Sequence, residues 1–201
     1  MYLTNRIKLH YKNILYQDLL LKNVNSLPIF SNTRASAKKL AQPTISEIIV
    51  STSSKKVLVD HVLLLSYINS LNLITGQIPT KTKSRKSIAN FKLRSSQLMG
   101  CKVNLRGEQC EYFIDKLLSI VFPKIREFER LHACEVLATG VSTLTVSLKD
   151  LFLFPELEEN YDLFENLNGI DITFVTTAKS KEETLLLLSG FQLPVLKTNE
   201  K

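Results

Sequence analysis

The chain has 201 residues, 44% of them hydrophobic, and a formal net charge of +7. That length fits one domain with a real core, or two small ones, and no apolar run reaches the ~18 residues a membrane-spanning helix needs. Three cysteines without C-x-x-C spacing (Cys101, Cys110, Cys134) exclude a disulfide framework and a cysteine-based zinc site, and read as buried reduced thiols.

The opening MYLTNRIKLHYKNILYQDLLLK has no apolar secretory core. Its basic amphipathic pattern resembles a transit peptide, but Asp18 and the scarcity of Ser and Arg set it apart. Residues 5–21 are expected to form a helix with Ile7, Ile14, Leu15 and Leu19 near one side. The polar SNTRASAKKLAQP ends at Pro43 and reads as a linker, so residues 1–44 are expected to be a helix plus basic linker and residues 45–201 a single domain. Ile45–Val50 is short, apolar and β-branched, and predicts a strand. From Lys55 to Leu73 the spacing of Val57, His61, Leu64, Leu65, Ile68 and Leu71 predicts a helix, with Gly76 as its stop.

Residues 76–106 contain no Asp or Glu but carry Lys81, Lys83, Arg85, Lys86, Lys92, Arg94, Lys102 and Arg106. Those eight cations exceed the whole net charge, leaving 7 − 8 = −1 for the rest of the chain. Ser84–Leu98 reads as a long exposed loop between strands. Beyond it Cys101, Val103 and Leu105 alternate with Lys102, Asn104 and Arg106, which predicts a strand with one core face and one cationic face. After Gly107 a helix is expected over Glu108–Val121, with Cys110, Phe113, Ile114, Leu117, Leu118 and Val121 as its stripe and a further turn or two over Lys124–Leu131. Strands are expected around Leu144, Val146 and Leu148 and around Ile170, Ile172 and Phe174, and Ser180 with Glu183 marks the cap of a last helix. The mixture has no regular βαβ period. It predicts an α+β fold: a mostly antiparallel sheet, helices packed on one face, and a long basic inter-strand loop.

No nucleotide-binding glycine loop, HExxH zinc motif or GxSxG elbow is present. His10, His61 and His132 are isolated, and His61 reads as a partly buried histidine on a helix stripe rather than a base. The acidic run Glu156, Glu158, Glu159, Asp162 and Glu165 reads as a solvated or protein-contacting face rather than a metal site. The expectation is therefore no enzyme, no metal, no cofactor and no membrane. An acid-free block of eight cations is the footprint of a polyanion partner. Its arginines can grip phosphate with two parallel bonds, and Phe91 offers a stacking ring. No recognition helix or finger points to duplex DNA reading.

The run from Gly76 to Phe128 resembles the signature region of the universal large-subunit ribosomal protein called L-five. The matching residues are Gly76, Gln77 and Pro79; Arg85, Lys86, Ser87, Ala89, Phe91, Lys92 and Arg94; Met99, Gly100, Lys102, Val103, Leu105, Arg106 and Gly107; and Pro123 to Phe128. Phe154–Leu157 and Gly169–Glu183 extend the similarity. The resemblance implies a structural protein of the large subunit that binds 5S ribosomal RNA in the central protuberance beside large-subunit ribosomal RNA and neighbouring ribosomal proteins. It puts Gln77 and Asn104 at RNA-facing positions, with Ser51 where the family carries an Asn and Lys81, Lys83, Lys102 and Arg106 as accompanying cations. Arg85, Lys86, Ser87, Asn90, Phe91, Lys92 and Arg94 correspond to a loop facing peptidyl-site tRNA. Glu156, Glu158 and Glu159 are the expected contact with a protein of the small-subunit head. The chain departs from the family at 51–55, which lack glycine, at Asn90, which stands for a glycine and can still adopt left-handed geometry, and at 133–141, which lack a Gly-rich loop. These departures and the closing ETLLLLSGF resemble mitochondrial versions, which implies the mitochondrial matrix, with a plastid or the bacterial cytoplasm as the alternative. A free-standing RNA-binding or chaperone module is the alternative function.

Overall fold

The computed structural model describes residues 5–25, 42–125, 135–136, 142–165, 167, 169–178 and 180–193. The linker expected before Gln42, His132, Cys134 and most of 133–141 lie outside the described residues.

Six strands form one antiparallel sheet in the order β2-β3-β1-β6-β5-β4: β1 Ile45–Ser53, β2 Thr80–Lys83, β3 Leu98–Leu105, β4 Glu135–Val136, β5 Ser142–Leu148 and β6 Ile170–Thr176. The α+β reading is correct. Alternation drives it. Ile48 and Val50 on β1, Cys101, Val103 and Leu105 on β3, Leu144 and Val146 on β5, and Ile172 and Phe174 on β6 all turn to one side and are buried. The described helices pack on that side, and burial of this shared apolar face is what holds the layers together.

The helix Val62–Thr75 lies against β3 and buries Leu64, Tyr67, Leu71 and Ile74. This corrects the expected stripe. Lys55–Leu58 is a separate 3₁₀ turn, so helical phase is lost before Val62; His61 is the exposed cap residue and Leu65 is exposed. Gly76 ends the helix at φ +70°. Gly107 (φ +62°, ψ −134°) makes the strand-to-helix turn that only glycine adopts cheaply. Glu108–Lys116 follows, continuing through a π turn Leu117–Val121 to Phe122–Lys124. Its stripe is as expected except that Leu118 is only half-buried, and the helix stops at Lys124 with Ile125 extended.

The N-terminal helix runs through Arg6–His10, a π turn at Tyr11–Leu15, and Tyr16–Asn25. Ile7, Leu15 and Leu19 join the common core, whereas Ile14 is 52% exposed, contrary to expectation; the π turn shifts the phase. Arg6 pairs with Asp115 at 2.5 Å and Lys8 with Glu108 at 3.0 Å, and Tyr11 stacks on Phe191. The last helix, Lys181–Gly190, is capped by Ser180, whose Oγ accepts the Glu183 N–H.

Candidate nucleic-acid interface

Among the described residues nothing covers the side of the sheet away from the helices, and strand register sorts its residues into rows. One row crosses five strands: Thr80, Lys102, Ser51, Asp171, Ser147. The next is Asn104, Ile49, Thr173, Thr145. Glu47, Val175 and Thr143 form a third, with Arg106 one residue beyond β3 reaching Glu47. Short hydroxyl side chains dominate. Ser147 Oγ donates to Asp171 Oδ1 at 2.6 Å, Thr145 and Thr173 share a hydroxyl bond of 3.1 Å, and Thr80 Oγ1 donates to the Lys102 carbonyl at 3.1 Å. Gly100 lets β3 close on β1, since a Cβ there would lie 2.1 Å from the Thr52 carbonyl oxygen.

The expected residues distribute unevenly over this surface. Ser51, Lys102 and Asn104 come together on the open face, as their alternation implied. Arg106 also reaches that side, but its Nε and Nη2 donate to Glu47 Oε2 at 2.8 and 2.6 Å. Lys81 pairs with Cys101 and so takes a position on the opposite side of β2 from Thr80 and Thr82, while Lys83 lies past an irregularity in the register; both are exposed on the sheet edge. Gln77 is outside the strands, with its Nε2 donating to Gln109 Oε1 at the start of the following helix. Cys101 faces the core, and burial pushes its thiol up to about 12, which makes it inert.

The segment between β2 and β3 is a built structure rather than an open loop. Ile88 and Leu93 bridge across it, Ser84 exchanges backbone bonds with Ser96 and Gln97, and Ser87 Oγ accepts the Ser95 N–H at 3.0 Å. A 3₁₀ turn, Ala89–Phe91, forms its tip. Asn90, although able to adopt the left-handed conformation, does not do so here. Lys92 (φ +55°) and Ser96 (φ +65°) do, because the chain reverses after the turn rather than within it. Arg85, Lys86, Ser87, Asn90, Phe91, Lys92 and Arg94 are all exposed around this tip. Lys55 Nζ lies 4.8 Å from the centre of the Phe91 ring, with 54% of Phe91 exposed. Among the described residues, only Arg106 of the eight cations is in an ion pair.

The acidic run is partly consumed inside the fold. Glu156 bonds Lys116 at 2.6 Å and Glu158 bonds Lys124 at 2.6 Å, while Glu159 is exposed. Lys116 Nζ also donates to the Ile74 carbonyl, so these pairs staple the short helix Pro155–Glu158 to its neighbours. Sequence reasoning missed Glu47, Thr80, Thr145, Ser147, Asp171 and Thr173 as members of the face. Their alternation was visible, but the register that lines β5 and β6 up with β1 and β3 was not.

A one-sided helix layer, a hydroxyl-lined sheet face and an edge of exposed cations define an α+β protein with a polar face flanked by positive charge. Residues 39–94 match the family model for ribosomal protein L5, and residues 98–195 match the model for the C-terminus of the same ribosomal family. The large ribosomal subunit protein uL5m of Reclinomonas americana is 39% identical over 195 residues, covering 96% of this chain and 99% of that protein. The large ribosomal subunit protein uL5 of Wigglesworthia glossinidia brevipalpis is 41% identical over 155 residues, covering 77% and 85%. The chain belongs to the ribosomal protein L5 family, and it is a structural, non-enzymatic constituent of the large ribosomal subunit.

Proposed function

We propose that this protein lays the open face of its sheet on 5S ribosomal RNA in the central protuberance, in contact with large-subunit ribosomal RNA, and points the Arg85–Arg94 tip at peptidyl-site tRNA. The observation that carries this reading is the set of seven exposed cations without a carboxylate partner among the described residues, seated beside an uncovered polar face. Unpaired cations release condensed counterions when phosphates replace them, which drives binding. Ser51, Lys102 and Asn104 form the RNA-facing centre; Gln77, Lys81, Lys83 and Arg106 flank it. The acidic side supplies the contact with a small-subunit head protein, chiefly through exposed Glu159, because Lys116 and Lys124 already hold Glu156 and Glu158. Similarity to the mitochondrial uL5m supports a mitochondrial ribosome as the setting.

The test is binding of the full chain to 5S ribosomal RNA and to an unrelated RNA of equal length at physiological salt. The expected preference is at least about tenfold; equal affinity would remove the 5S assignment. Sedimentation of mitochondrial lysate should put the protein with large subunits, and recovery only at the top of the gradient would favour a free-standing RNA-binding module.

A further inference from the structure

The open face is not itself basic. Over β1, β3, β5, β6 and the Arg106 flank, its described side chains include two cations, Lys102 and Arg106, and two carboxylates, Glu47 and Asp171. The charges are also segregated. Along the row Lys102, Ser51, Asp171, Ser147 the cation stands on β3 and the carboxylate two strands away on β6, roughly 10 Å apart at the usual strand spacing. A phosphate backbone is attracted to the β3 side and repelled from the β6 side.

We propose that the Asp171–Ser147 and Thr145–Thr173 pairs read ribose 2′-hydroxyls of an A-form RNA whose phosphates lie over Lys102. This deepens the function proposed above and rests on RNA occupying this face. An exposed carboxylate can only accept hydrogen bonds, so its partner on the RNA is a donor. The wide, shallow minor groove of A-form RNA presents two donors, the 2′-hydroxyl and the guanine amino group. The threonine pair selects between them. Its mutual bond uses one hydroxyl hydrogen, leaving one hydrogen to give and lone pairs to receive. The 2′-hydroxyl both donates and accepts, whereas the amino group only donates. The side chains here are short, so a flat groove can approach β5 and β6 closely. Ser147 fixes one oxygen of Asp171 at 2.6 Å and orients the carboxylate for that contact.

The experiment uses the full chain and an RNA hairpin cut from a helix of 5S ribosomal RNA. It is compared with the same hairpin carrying 2′-fluoro riboses, which keep A-form geometry but have no hydroxyl hydrogen, and with one carrying inosine for guanosine. The 2′-fluoro hairpin should bind about tenfold or more weakly than the RNA, with the inosine hairpin unchanged. Asp171→Asn, and separately Thr145→Val with Thr173→Val, should each shrink that gap by weakening RNA binding while sparing the 2′-fluoro probe. Equal binding of the RNA and 2′-fluoro hairpins overturns the proposal, as does loss with inosine alone. So does an Asp171→Asn protein that binds both probes more tightly, since the carboxylate would then serve only to repel phosphate. If the wild type holds the hairpin no better than a scrambled one, the 5S reading falls and this inference with it.

Discussion

The sheet face and the basic edge beside it are made from adjoining stretches of the same chain, yet they solve different problems. The edge and tip (Lys81, Lys83, Arg85, Lys86, Lys92, Arg94) carry six cations with no acidic partner among the described residues. The face carries hydroxyls and an amide, with its charges balanced. One region suits long-range, salt-sensitive attraction; the other suits short-range hydrogen bonding that depends on rigid placement. On the function proposed above, the excess of charge in the sequence marks where RNA would be attracted, and the strand register marks where it would be recognised.

The most damaging test removes the face while leaving the edge charged. Gly100→Ala puts a Cβ against the Thr52 carbonyl and forces β3 away from β1. We expect a loss of about 3 kcal/mol in stability, read by denaturant unfolding. Whatever RNA binding remains should be salt-sensitive and blind to the difference between 5S and unrelated RNA. Retained selectivity would mean that the edge, not the face, does the recognising.

Next in size is the converse. Changing all six edge and tip cations to Gln should flatten the salt slope of 5S binding by about 4–5, at roughly 0.7–0.9 for each phosphate no longer neutralised. Selectivity at low salt should survive. Lys102→Gln alone should release only about one phosphate. A six-residue variant with an unchanged slope would show that these cations never meet phosphate.

Much of this was legible in the residues. The alternation at 101–106, 144–148 and 170–175 predicts three of the strands and which side each buries, because a pleated strand has period two whatever its neighbours. The misreadings share a cause. Counting every 3.6 residues puts His61 and Leu65 on a buried stripe only if the 3₁₀ turn before them is ignored, and Ile14 likewise if the π turn is ignored. Periodicity carries no information about where phase is reset. Partnership was hidden for a related reason: Glu47 and Arg106 are 59 positions apart, and only antiparallel pairing of β1 with β3 brings them together.

That ion pair gives a finer test of the boundary between the two regions. Glu47 is 18% exposed at its side chain and Arg106 73%, so the carboxylate is fixed and the guanidinium folds over it. Glu47→Gln should cost about 1 kcal/mol, because the exposed arginine is free to re-solvate and the mostly buried amide keeps the carboxylate's shape. It should free Arg106 for phosphate, raise RNA affinity a few-fold, and steepen the salt slope by about 0.7–0.9. A weaker complex would instead mean that Glu47 holds Arg106 in its binding position.

The smallest effect is expected far from both regions, under the N-terminal helix. Glu111 lines a cavity of about 170 Å³ with Ile7, Tyr11, Cys110 and Phe191. Its Oε2 is buried without a hydrogen-bond partner among the described residues. Burial raises its carboxyl above the ordinary range, an effect that Lys8 and Lys12 oppose and Glu108 reinforces. A raised carboxyl favours folding while protonated in both states, and that advantage is lost as pH rises through the folded value. The ionised group thus costs stability at neutral pH. Glu111→Gln should melt slightly higher than the wild type at pH 7, and the difference should close as pH falls below the usual carboxylate range. RNA affinity, salt slope and 2′-hydroxyl preference should all stay fixed. If any of them moves, the N-terminal helix is coupled to the RNA-facing side through the Glu108–Lys116 helix, and the division of labour between face and edge has a third participant.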